Sequence, residues 1–151
     1  MAGTDPYGAG VAVGRPRSVK TAVDSTVCVV LDTSRTNRGL ELIAPFTRCV
    51  RRGDVLELIL TDDGDAAPNA RVDRAFGVAF SVVQDSGVIM VGDAVTLGDD
   101  REIGTVVGFD VSHEPNHFNV VIGAAHGRTG REIGLDLQAT VRFGERTTWP
   151  D

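Results

Sequence analysis

Between Asp110 and Arg128 the chain gathers its three histidines, His113, His117 and His126, among Asp110, Glu114, Asn116 and Asn119. Imidazole exchanges protons near neutrality and a neighbouring carboxylate orients it, so His113 and His117 with Asp110 or Glu114 form a candidate acid/base group. Asn119 follows His117 by two residues, on the same face of an extended strand, where it would hold a substrate carbonyl or enolate oxygen. The catalytic candidates are therefore His113, Glu114, His117 and Asn119. Asp110 and Asn116 are candidate ligand contacts, and Arg128, within His126–Gly130, would meet an anion together with backbone amides. Each has a plainer reading: Asn116 and His117 satisfy turn amides, and the glycine-rich segment is a hairpin tip.

His113-Glu114-Pro115-Asn116-His117 matches the zinc-protease pattern H-E-x-x-H, which works because a helix brings histidines four apart onto one face. Pro115 has no amide proton and disfavours helical geometry at Glu114, and the flanking Val106–Phe109 and Phe118–Ile122 read as strands, which argues against that chemistry. A loop geometry is a separate matter. His113, His117 and His126 converging with Asp110 or Glu114 would make a divalent-metal site with an open position.

The elements that must position these residues are strands. Aromatic content is only 5% against 42% apolar residues, so a core is built from Val, Ile, Leu and Ala with a few Phe. The formal charge is −6 and no concentrated cationic face is present, which disfavours nucleic acid. Cys28 and Cys49 lack Cys-x-x-Cys spacing and sit in apolar runs, as reduced, buried thiols would. No membrane span or signal peptide is indicated, and the expectation is a soluble cytoplasmic protein.

Along the chain, residues 1–20 read as a flexible tail, 21–145 as one domain and 146–151 as a second tail. Strands are expected over Thr26–Leu31, Leu40–Ala44, Val55–Leu60 with its three leucines on one face, Ala75–Val83, Val88–Leu97 interrupted at Gly92-Asp93, Ile103–Phe109 and Phe118–Ile122. Asp85-Ser86-Gly87 reads as a tight hairpin turn. Leu135 to Phe143 alternates apolar and polar residues and reads as a half-buried strand. Asp62–Arg74 is a long polar connection, whose Asp62, Asp63 and Asp65 lack the glycine spacing and terminal Glu of a calcium loop. The whole is an all-β fold, a small closed or partly open barrel of about seven strands.

The segment GFDVSHEPNHFNVVI resembles the most distinctive part of an uncharacterised family of small bacterial proteins, over about Leu40 to Phe143. That resemblance implies no activity. GVIMVGDAVTL followed by IGTVVGF is similar to strands in the barrel domain of translation GTPases, which bears on fold and not on function. Two functions stay open. One is a small-molecule enzyme of lyase, isomerase or cyclase type, acting through the histidine loop by acid/base or metal-assisted chemistry. The other is a non-catalytic ligand-binding or assembly module in which that loop is structural. Either is expected to form a homo-oligomer, because a small barrel with few aromatics gains stability by burying strand faces against copies of itself.

Overall fold

A computed structural model describes residues 19–144. Seven strands close a barrel in the order β1 (Val23–Arg35), β11 (Thr140–Gly144), β8 (Ala94–Leu97), β9 (Glu102–Asp110), β10 (Phe118–Gly123), β4 (Val55–Thr61) and β6 (Ala75–Val83), with β6 returning to β1. The neighbours are antiparallel except β10 and β4, which run parallel with Phe118 opposite Leu56 and Gly123 opposite Thr61. The all-β barrel expected from the strand pattern is the observed fold, and the expected tails at 1–20 and 146–151 fall almost wholly outside the described residues. Lys20, at the edge of that range, pairs with the buried Asp93 at 3.0 Å.

The two-residue period of a strand explains β4. Leu56, Leu58 and Leu60 point inward and join Val120 and Ile122 of β10, Val106 and Phe109 of β9, and Val141 and Phe143 of β11 in the main core. The opposite face is buried too, because a strap crosses it. β2 (Leu40–Glu41) pairs with β5 (Arg71–Val72), and Leu40, Leu42 and Val72 cover Ile59, Ala75 and Val121 in a second apolar cluster. Leu42 lies against Gly108, where a Cβ would come within 2.7 Å of it, so only glycine lets the strap approach this closely. The long polar connection at 62–74 is therefore part of this cover. β3 (Thr47–Val50) pairs with β7 (Gly87–Met90) and adds Val50 and Ile89 to the main core.

Three expectations are corrected. Asp85-Ser86-Gly87 does not turn a hairpin, since β6 pairs with β1 and β4 while β7 pairs with β3. The alternation from Leu135 to Phe143 does not make one strand. A short helix α1 (Gly130–Ile133) precedes it, capped by Thr129 and closed by Gly134 in the left-handed region, and Gln138 also has a positive φ, 68°. Strand geometry begins only at Thr140, which leaves Leu137 62% exposed. Cys28 and Cys49 are exposed thiols and not core residues. At Cys28 the cause is a bulge between Val27 and Val29 that breaks the in-out alternation and turns both Cys28 and Val29 outward.

Candidate functional site

A row of side chains runs across the outer face of four adjacent strands, set by register. Phe80 of β6 lies opposite Glu57 of β4, Glu57 opposite Asn119 of β10, and Asn119 opposite Asp110 of β9. Glu57, Asn119 and Asp110 are 8%, 0% and 4% exposed, so three polar groups are buried on a face where a small barrel would ordinarily meet water.

Asp110 organises the histidine turn. Its Oδ1 accepts from the Ser112 amide at 3.0 Å, the Ser112 hydroxyl at 2.5 Å and Asn119 Nδ2 at 3.2 Å, while Oδ2 accepts from the Glu41 amide at 3.1 Å. The carboxylate thus fixes the start of the turn to the strap and to β10. The turn continues with the Glu114 amide donating to Val111 and the Asn116 amide donating to His113, and the Glu114–Pro115 peptide bond is cis. No helix forms over 113–117, as Pro115 requires. Asn119, proposed from sequence as a substrate contact, is fully buried and spends its Nδ2 on Asp110; its Oδ1 has no hydrogen-bond partner among the described residues.

His117 enters β10 with its ring held on every side. Nε2 lies 3.2 Å from Glu57 Oε2 and Nδ1 lies 2.7 Å from Asn116 Oδ1. The Phe80 ring meets it edge-on at 5.1 Å, and the His113 ring stacks on it at 5.1 Å between centroids, 13° from parallel. Arg38 Nη2 reaches both Glu57 oxygens at 3.5 Å from the strap side. As placed, both imidazole nitrogens face oxygen acceptors. Two states satisfy them: an imidazolium donating at both ends, or a neutral ring donating from Nε2 with the Asn116 amide turned to donate to Nδ1. The two differ by one proton and one amide rotation.

Beside this ring lies a cleft of about 290 Å³ lined by Arg48, Cys49, Arg51, Asp54, Glu114, Asn116, His117 and Phe118, among others. Glu114 is ion-paired with Arg48, whose guanidinium lies 4.5 Å above the Phe118 ring. His126 and Arg128 are elsewhere. They follow the far end of β10, and six strand residues at ~3.3 Å each put roughly 20 Å between the two ends. There they line a second, larger cleft of about 610 Å³ with Glu102, Thr105 and Ala124. The three histidines therefore do not converge, and the metal expectation for His113, His117 and His126 is corrected on that geometry. Among the described residues no group of three or more His, Cys, Asp or Glu side chains is placed to hold a metal ion. Stacked His113 and His117 rings also keep their in-plane lone pairs in parallel planes, which a shared metal cannot use. Nor is His126–Gly130 a hairpin tip: Thr129 caps α1 and its hydroxyl donates to Asp32 Oδ1 at 2.9 Å.

Glu57, Arg38, Phe80 and Arg48 belong to the site and were not singled out from sequence. Glu57 had a legible signal, being the one charge inside the apolar run VLELILT. Arg38, Phe80 and Arg48 had none, because each arrives from a different, non-consecutive element. Among the described residues no helix is long and apolar enough to cross a membrane. Neither a curated protein nor a solved structure matches the chain. A family model described as a family of unknown function (DUF6917) matches residues 17–144, a span that takes in the whole barrel, the strap and both clefts, and the chain belongs to that family.

Proposed function

We propose that the protein is a small-molecule enzyme of lyase, isomerase or cyclase type, working by proton transfer at His117 in the cleft beside it. The observation that carries this reading is the Glu57–His117 pair. A carboxylate almost removed from water sits behind one ring nitrogen, while the other meets only Asn116, an exposed neighbour in the same turn. In such an arrangement the carboxylate fixes the ring's orientation, and the second nitrogen exchanges a proton with substrate once Asn116 turns aside. Glu57 is then a positioning residue, Arg38 holds Glu57, and Asp110 with Asn119 holds the turn. His113 covers the ring face. The organism's class, cytoplasmic location and self-association remain part of this reading, the last supported by the exposed Val29 and Leu137.

A second reading, a non-catalytic binding or assembly module, is favoured by one observation: both His117 nitrogens are already occupied by protein groups. His117→Gln separates the two, since Gln can still donate to Glu57 but cannot relay a proton. Screening the wild type by proton NMR against small hydroxy, keto and amino compounds should reveal a turnover that the variant loses by about 10²-fold or more, with its melting temperature within a few degrees. A loss of stability above ~2 kcal/mol, with no turnover by the wild type, would make His117 structural.

A further inference from the structure

We infer that the cleft beside His117 receives a carboxylate of its small-molecule ligand on Arg48, and that Glu114 occupies that position until the ligand arrives. The inference rests on reading this cleft as a ligand site and names the ligand's chemical class. Arg48 comes from β3, and its guanidinium lies over Phe118, a buried residue that begins β10, so the cation is backed by a fixed aromatic platform. Guanidinium offers parallel N–H donors that match the two oxygens of a carboxylate. Glu114 engages the Nη2 end, whereas the Nε–H is buried and has no hydrogen-bond partner among the described residues. Half of the fork is thus in use.

The group that uses it is the more mobile partner by construction. Glu114 sits at the crest of the 112–116 turn with its side chain 38% exposed, against 27% for Arg48. It can swing into water at little cost, as exposed ion pairs contribute little. An incoming carboxylate that meets Nε and Nη2 together would replace a one-ended contact by a two-ended one and satisfy the buried donor. Arg51 lines the same cleft, whose volume of about 290 Å³ suits a small metabolite. His117 borders the same space, so a carboxylate on Arg48 leaves the rest of the ligand beside the imidazole.

The test is titration of the full chain with succinate and, separately, with inorganic phosphate at constant ionic strength, following the Arg48 Nε–H and the amides of 113–118 by NMR. Succinate should shift these signals. Glu114→Gln, which removes the competing charge, should tighten succinate binding about tenfold, and Arg48→Met should weaken it by at least as much. Arg48→Lys keeps the charge without the fork and should lose most of the affinity too; circular dichroism on each variant confirms the barrel. Succinate binding indifferent to both Arg48 changes, or weakened by Glu114→Gln, overturns the inference. So does phosphate binding that is tighter than succinate and equally dependent on Arg48. If succinate binding follows Arg48 but turnover by His117→Gln equals that of the wild type, the carboxylate site stands and the acid/base reading fails.

Discussion

At the start of β10, His117 stands among Glu57, Asn116, His113 and Phe80, whereas beyond its far end His126 and Arg128 project from an exposed loop beside the larger cleft. Both ends carry histidine, and sequence alone sets His126 beside His113 and His117 as a third metal ligand. What separates them is the face of the sheet behind each. The row Phe80, Glu57, Asn119, Asp110 lies beneath the first histidine pair, its three polar members are buried, and the strap reaches it through Arg38 on Glu57 and the Glu41 amide on Asp110. In that setting a hydrogen bond to a charged group gains strength and an unpaired one becomes costly. Cleft volume is a poor guide to chemistry here; the partners of the titratable groups are the better one.

The comparison breaks most visibly at Glu57. Replacing it by Ala strands Arg38 and His117 without their shared carboxylate. Truncating one partner of a buried pair costs about 3–5 kcal/mol, and the 3.5 Å Arg38 contact places this case near the low end. Arg128→Ala, on an exposed side chain, should stay within about 0.5 kcal/mol. Urea unfolding with matched m-values measures both, and equal losses would abolish the distinction between the ends.

The far end is not soft throughout, and Gly130→Ala sharpens that point. A Cβ at Gly130 would be driven into the carbonyl oxygen of Val78, a backbone atom that cannot rotate away. Forcing the helix start from the barrel wall should cost about 1–3 kcal/mol, read in the same unfolding experiment. A neutral result would mean that α1 is not seated on β6 as described. Rigid backbone with exposed side chains is then the character of this end, and buried polar side chains on strands beneath an exposed turn that of the other.

How much of this was legible before folding follows from the range of each signal. The leucines of β4 and the break at Gly92-Asp93 are local, so the strands and the barrel class could be read from them. Pairing is not local. The turn after β6 looks like a hairpin because nothing near Asp85 shows that β6 is already flanked by β1 and β4. The alternation from Leu135 to Phe143 misleads because Gly134 and Gln138, both at positive φ, redirect the chain before β11 begins. At the site, His113, His117, Asn119 and Asp110 lie within ten residues of one another and were legible as a group. Glu57 approaches from 60 residues away in sequence, and the strap that buries it arrives from yet another segment.

The smallest expected effect is at the far end, where Asp62 ties the loop after β10 to the barrel. Arg74 Nε and Nη2 donate to its two oxygens at 2.6 and 2.9 Å, and this side-chain hydrogen bonding, with help from the Arg74 charge and the Gly127 amide, holds the carboxyl below its ordinary 3.8 against a partial desolvation. A carboxyl lowered on folding binds fewer protons in the native state than in the unfolded chain across the interval between the two values. Its contribution is therefore complete above about pH 4–5 and fades as pH falls through the lowered folded value. Because the pair is exposed, the contribution is small and screened by salt. Asp62→Asn removes it. The stability gap between wild type and variant should be constant from neutrality down to about pH 5, close on further acidification, and narrow at neutral pH when salt is raised. A gap that widens in acid would show that Arg74 does not hold Asp62 in its charged form.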